Sequence, residues 1–351
     1  MGKMTNLERV LTSLRHEEPD MVPTFESHID INVREMISPG LSYEDFIEYM
    51  DLDAIVHFDL EGEKYEKLND DGYARDQWGA LRRWTPGSNL APIPVEAPIK
   101  NERDIITFVP PDPDLPWRYD TLKRYVNRFK GQRAVIATVM DPFQTVWMCL
   151  RGFNEIMTDM VTNSDLADKL FEMARDYHRG YVQNCIDAGA DIIWMTGDLA
   201  TSQGPFVSPE MMERFIAPGI HEIAQIVHNH GLPFLKHTDG NIMKILDIIV
   251  DTGIDAIHPI DPIAGMDLKE VKDKYGDKIS LMGNVDCAYL LPDGTPDQVQ
   301  EAVKTCIRQA GNGGGYICTS SNTIHPGVKP ENYVAMIEAI REYGKYPLFR
   351  D

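Results

Sequence analysis

The chain has 351 residues, with 34 Lys and Arg against 55 Asp and Glu, a formal net charge of −21. That field excludes nucleic acid as a partner, because phosphate neutralisation supplies most of such affinity, and it disfavours a polyanionic substrate unless a local basic cluster overrides it. There is no apolar run near the roughly 18 residues of a membrane span, no secretory signal at the N-terminus, and no CxxC pair among Cys149, Cys185, Cys287, Cys306 and Cys318, so a cytoplasmic protein with free thiols is expected.

In chain order, a helix near Asn6–Arg15 comes first and is expected to cover the bottom of a barrel. Apolar runs of strand length then recur, each followed by polar residues and an amphipathic helical stretch, which is the signature of βα units. Val22–Glu26 is the first and Ala54–Asp59 the second. The stretch from about 60 to 133 breaks the repeat: it is rich in Pro and aromatics, and Gly72–Trp84 alternates like a hairpin. An insertion of roughly 70 residues is too long for an idle loop, so it reads as a lid or wall over the barrel mouth. The repeat resumes with Ala134–Val139, Ile192–Gly197, Pro233–His237, Ala256–Ile260, Ile279–Asn284 and Tyr316–Thr319. A helix over Ser208–His230 opens with a capping Ser followed by Pro at the first helical position, and others are predicted over 241–252, 267–276, 296–310 and 330–344. The sum is one α/β domain, a (β/α)8 TIM barrel with an N-terminal helical extension and an insertion after strand two; a doubly wound open sheet is the alternative.

In such a barrel the chemistry sits where the strands end. The polar residues there are Glu26 and His28, Asp59 and Glu61, Asp141, Asp198, His237 and Asp239, His258 and Asp261, Asn284 and Asp286, then Cys318, Asn322 and His325. A ring of carboxylates and imidazoles with one thiol suits a metal site or an acid/base site.

The sharpest local pattern is Lys236-His237-Thr238-Asp239-Gly240-Asn241, with Cys318 far downstream. Residues two apart in a strand share a face, so His237 and Asp239 can reach one ion, and Cys318 would make a third ligand; three protein ligands with an open position are the arrangement of a catalytic zinc. The other reading has His237 orienting a carboxylate, Asp239 capping a helix and Cys318 as a small buried apolar residue. His221-Glu222-Ile223-Ala224-Gln225 lacks the second His of a helical metal pair, and Gly311–Gly315 precedes a strand rather than following one, so neither is a site.

Several runs resemble the uroporphyrinogen decarboxylase superfamily. They are Gly197 to Glu210 (GDLATSQGPFVSPE), His237-Thr238-Asp239-Gly240-Asn241, His258-Pro259-Ile260-Asp261-Pro262 with Gly265-Met266-Asp267, Gly283-Asn284-Val285-Asp286, and Gly313-Gly314-Gly315-Tyr316-Ile317 with Pro330-Glu331-Asn332. The resemblance implies a (β/α)8 barrel. Its decarboxylases hold a tetrapyrrole with eight carboxylates through an arginine-bearing segment after the first strand; here Thr24–Arg34 carries acidic residues and one Arg, although Asp59 falls where the decarboxylases have a catalytic aspartate. Its cobamide-dependent methyltransferases hold zinc with a His-x-Cys pair after strand five and a Cys at strand eight. His237 and Cys318 fall on two of those positions, while Asp239 stands where the first Cys would be, a harder donor that suits an oxygen-bearing substrate.

The resemblance therefore implies a substrate-specific methyltransferase that passes a methyl group from a small methylated compound, an arylmethyl ether (O-demethylase type) being one option, to a corrinoid protein. One zinc per chain would be held by His237, Asp239 and Cys318. Asp59, Asp198 and His258 are the candidate catalytic residues, and Glu26, Phe143, Trp147, Trp194 and Asn322 the candidate substrate contacts. The alternatives are a metal-free uroporphyrinogen decarboxylase and a non-catalytic corrinoid-binding subunit; a homodimer is left open.

Overall fold

Seven parallel strands follow one another round a curled sheet in the order in which the chain makes them. In the computed structural model, which describes residues 3–58, 65–69, 71–84 and 92–348, these are β1 (Ala54–His57), β6 (Ala134–Met140), β7 (Ile192–Thr196), β10 (Phe234–His237), β11 (Ala256–His258), β12 (Ser280–Met282) and β13 (Tyr316–Ile317). Between β1 and β6 lie β2 (Glu66–Lys67), β3 (Tyr73–Arg75), β4 (Leu81–Arg83) and β5 (Ile93–Glu96), and after β7 come the paired short strands β8 (Ala200–Thr201) and β9 (Gly204–Pro205). A doubly wound sheet reverses its strand order at a switch point. This sheet does not reverse, which removes that alternative.

The strands are apolar on both sides because they separate two cores. Val56, Ala134, Ile136, Ile192, Trp194, Leu235, Ala256, Met282 and Ile317 fill the barrel interior, while the alternate residues, such as Val135, Ile193, Phe234, Ile257, Leu281 and Tyr316, face the helical layer. The N-terminal helix Asn6–Leu14 closes the bottom, as expected, by sending Val10 and Leu14 into the interior cluster.

The first predicted strand is extended chain without a ladder. Pro23 has no N–H to give, and the segment joins the two edges of the sheet through single bonds. Cys318 N donates to Pro23 O at 3.0 Å and Asp53 N to Thr24 O at 2.8 Å. Phe25 still reaches the interior core, so the segment closes the barrel.

The insertion contains a separate antiparallel sheet in the order β2-β3-β4-β5. The predicted hairpin is there, with Ala74 opposite Arg82, and its turn is built on Asp76, whose carboxylate accepts from Trp78 N, Ala80 N and Arg82 Nε. Trp78 packs edge-on against Tyr177 at 4.8 Å, on the long helix Ser164–Asp187. The last part of the stretch, the helix Asp120–Phe129, is the ordinary helix of the second βα unit, burying Leu122, Tyr125 and Phe129. Among the described residues no helix is long and apolar enough to cross a membrane.

Candidate metal centre

Strand β10 alternates Leu235 inward, Lys236 outward and His237 inward at the barrel mouth. Lys236 is fully buried, as is Asp141, and its ammonium donates to Asp141 Oδ2 at 2.9 Å, Gly197 O at 2.7 Å and His237 O at 2.8 Å. Gly197 is required for this: it has φ +152°, and a Cβ there would stand 2.3 Å from Asp141 Oδ2. The buried ammonium thus ties the end of β7 to that of β10, and the chain leaves Gly197 directly into Asp198. Gly240, at φ +90°, lets the next loop pass against Ala200, whose backbone a Cβ would meet at 2.6 Å.

The result is a cluster of His237, Asp198 and Asp239, whose ligating atoms all lie within 4.8 Å of one another. His237 Nε2 is 3.6 Å from Asp198 Oδ1 and 3.7 Å from Asp239 Oδ1. Asp239 N donates to Asp198 Oδ1 at 3.0 Å, and Asn322 Nδ2 donates to Asp239 Oδ2 at 2.5 Å, which fixes both carboxylates. The Asp239 side chain keeps 29% of its surface, yet its Oδ1 is shut off from water without a hydrogen-bond partner. Burial first, then the charges of Asp198 and Asp261, push its carboxyl up to about 8. An orphaned carboxylate oxygen beside a second carboxylate and an imidazole is a donor set that fits a divalent cation with an open position.

The structure brings Asp198, not Cys318, to His237 and Asp239. Cys318 is buried among the side chains of the outer core, on the face of its strand opposite to Ile317 in the barrel interior, with its thiol held protonated by burial and by the neighbouring Cys306. Alternation along β13 is the cause: a thiol one position away would have faced the mouth. His258 sits directly behind His237, with their Nδ1 atoms 2.7 Å apart. Asp59 lies outside the described residues.

Of the expected substrate contacts, Asn322 lines a cavity of about 170 Å³ with Ser27, Phe58, Met140, Gln144, Met148, Thr196, Asp198 and His237. Trp194 is instead beneath the site, edge-on to His258 at 5.2 Å. Phe143 is fully buried among Phe153, Phe171 and Phe206, and Trp147 packs on Phe153. Both belong to the wall behind the cavity. Met140 lines the cavity from the end of its strand, and Gln144 and Met148 are among the lining residues that sequence reading does not assign; Gln144 follows Asp141 by three, and Asp141 caps that short helix through Gln144 N, a spacing that could have placed it.

Glu26 is buried against Ser320, accepting from its N at 3.0 Å and its Oγ at 2.5 Å. Burial outweighs these bonds and pushes the carboxyl up from 4.5 to about 8. A folded pKa above the unfolded one gives stability that is complete below about pH 4.5 and is lost as pH rises through about 8. At about 1.36 kcal/mol per unit this is on the order of a few kcal/mol. Urea unfolding should therefore show the stability of wild type relative to Glu26→Gln, a mimic of the protonated acid, falling as pH rises between about 5 and 9. Parallel pH profiles for the two proteins would contradict it.

A family model described as uroporphyrinogen decarboxylase (URO-D) matches residues 87–343. A uroporphyrinogen decarboxylase of Actinobacillus succinogenes is 26% identical over 265 residues, 71% of this chain and 70% of that protein. A methylated-thiol--coenzyme M methyltransferase of Methanosarcina mazei is also 26% identical, over 216 residues, 62% of this chain and 55% of that protein. A solved structure of a methyltransferase from Methanosarcina mazei superimposes with a TM-score of 0.73 over 97% of this chain and 99% of the other, at 16% identity, and so shares the fold.

Proposed function

Because the chain belongs to the uroporphyrinogen decarboxylase family, in which both decarboxylases and methyltransferases are found among its relatives, we propose that it is a methyltransferase moving a methyl group from a small methylated oxygen compound to a corrinoid carried by a partner protein. The observation that carries this reading is the cavity: it ends on the cation-ready cluster, and among the described residues none that lines it is Lys or Arg. Among the described residues the buried ammonium nearby, that of Lys236, is already engaged by Asp141 and two carbonyls. Eight carboxylates would each need a counter-charge that the described residues of this wall do not offer, whereas a neutral methyl ether needs none.

His237, Asp198 and Asp239 would hold one zinc ion, which supplies Lewis acidity to the leaving oxygen. Phe58, Met140 and Met148 exclude water and pack the methyl-bearing part of the substrate, and Gln144 and Asn322 orient its polar end. A corrinoid on the partner would supply the cobalt(I) nucleophile that takes the methyl carbon, and the oxygen would leave with the electron pair of the methyl–oxygen bond, held by the same three side chains' cation. In this reading the insertion walls the mouth, and the protein works in the cytoplasm.

The relatives named as decarboxylases favour a second reading, and one pair of assays separates the two. The protein is incubated with a reduced corrinoid protein and a panel of methoxylated aromatics, methanol and methylamines, and separately with uroporphyrinogen. Zinc-dependent conversion of cobalt(I) to methyl-cobalt(III), without release of carbon dioxide, is expected. Decarboxylation that is indifferent to chelators and lost in Asp59→Ala would overturn it.

A further inference from the structure

The contacts behind His237 decide which of its ring nitrogens carries the proton. A carbonyl oxygen can only accept, and His258 Nε2 lies 3.2 Å from Ser320 O. That nitrogen is therefore an N–H, and a neutral His258 has its lone pair on Nδ1. His237 Nδ1 faces that lone pair at 2.7 Å, so it must be the donor. The proton of His237 is then on Nδ1, and Nε2 presents a lone pair towards the two carboxylates.

The spacing at Nε2 agrees. Separations of 3.6 and 3.7 Å to Asp198 and Asp239 exceed the reach of an N–H···O bond. Two ligands about 2.1 Å from one tetrahedral ion stand about 3.4 Å apart, so the gap is that of co-ligands and not of hydrogen-bond partners. The far end of the chain is fixed as well. Ser320 is clamped by Glu26 through its N and Oγ, its carbonyl also accepts from Thr319 Oγ1 at 2.9 Å, and Trp194 stands edge-on against His258 with an interplanar angle of 88°.

We propose that His258 is a positioning residue that locks His237 in its Nδ1–H tautomer, with the Ser320 carbonyl as anchor, so that the Nε2 lone pair is presented to a divalent cation. The cation part rests on the reading given under Proposed function; the tautomer part does not. A ligand imidazole is commonly oriented by a carboxylate or carbonyl, and here a second imidazole relays that order from a backbone carbonyl one residue further away.

The test uses the full-length, metal-free protein labelled with 15N-histidine. Long-range 1H–15N spectra distinguish Nδ1–H from Nε2–H, and the His237 signal is identified by its loss in His237→Gln. Wild type should show Nδ1–H at His237. His258→Phe, which keeps the ring but removes both nitrogens, should shift His237 to a tautomer mixture and weaken zinc binding, read by titration calorimetry, about 10- to 100-fold. His258→Asn, whose side-chain oxygen can accept from His237 Nδ1, should recover most of both. Backbone amide spectra report whether each variant folds, and the Asn variant carries the test if Phe is not accommodated. An Nε2–H tautomer in the wild type, or an unchanged tautomer and zinc affinity in His258→Phe, would overturn the proposal. A wild type with the Nδ1–H tautomer that takes up no zinc would overturn the metal reading while supporting the lock.

Discussion

Replacing His237 with alanine is expected to lower the zinc content of the purified protein at least severalfold, and replacing Cys318 with alanine to leave it unchanged. The first change removes the only nitrogen from the cluster of His237, Asp198 and Asp239, leaving two carboxylates that bind a borderline-soft ion poorly without it. The second touches a buried thiol in the outer core, where the loss is a small packing term. Asp198→Asn should fall between the two, because its oxygen remains but its charge does not. Elemental analysis after dialysis reads all three. Full zinc retention in His237→Ala would place the ion elsewhere, and zinc loss in Cys318→Ala would return the thiol to the ligand set.

The second large effect is on stability. Lys236→Met should destabilise the fold by about 3–5 kcal/mol, because it leaves the Asp141 carboxylate buried with its counter-charge gone. Asp141→Leu alone should cost a similar amount, since it strands the ammonium instead. The double variant Lys236→Met/Asp141→Leu should recover a large part of the loss, as replacing both partners of a buried ion pair with apolar residues often does. Urea unfolding of the four proteins gives the coupling directly. If the single losses simply add in the double variant, the pair is not the unit that holds the end of β6 to β10.

The barrel was legible in the sequence because each strand is a short apolar run bounded by polar residues, and runs such as Ala134–Met140 and Ile192–Thr196 carry their burial on both faces. Val22–Glu26 reads the same way, but Pro23 and the single bonds on either side make it extended chain and not a ladder strand. The helix Pro296–Ala310 falls where it was expected because Thr295 and Gln298 form a capping box. The site was legible as far as the motif reached. His237 and Asp239 are two apart, His237 closing β10 and Asp239 two residues beyond it, held by Asp198 and Asn322. Cys318 lies outside the cluster because the face of a two-residue strand depends on register, which the pattern Tyr316-Ile317-Cys318 does not fix on its own. Asp198 reads as a mouth residue in the sequence, but its place beside His237 depends on the turn at Gly197 and on a lysine in an otherwise apolar strand. That lysine, following Phe234 and Leu235 in the strand, is the visible clue to a buried partner, and the partner lies 95 residues earlier in the chain.

The closure of the barrel by a short extended segment sets a timetable for the site. Glu26 clamps Ser320 across 294 residues of sequence, and Ser320 anchors the two imidazoles. At about 5–20 residues per second of synthesis, the early half of that clamp leaves the ribosome roughly 15–60 s before the late half exists. Until then the mouth has no anchored His258, and the nascent chain cannot present an ordered ligand set to free metal in its surroundings.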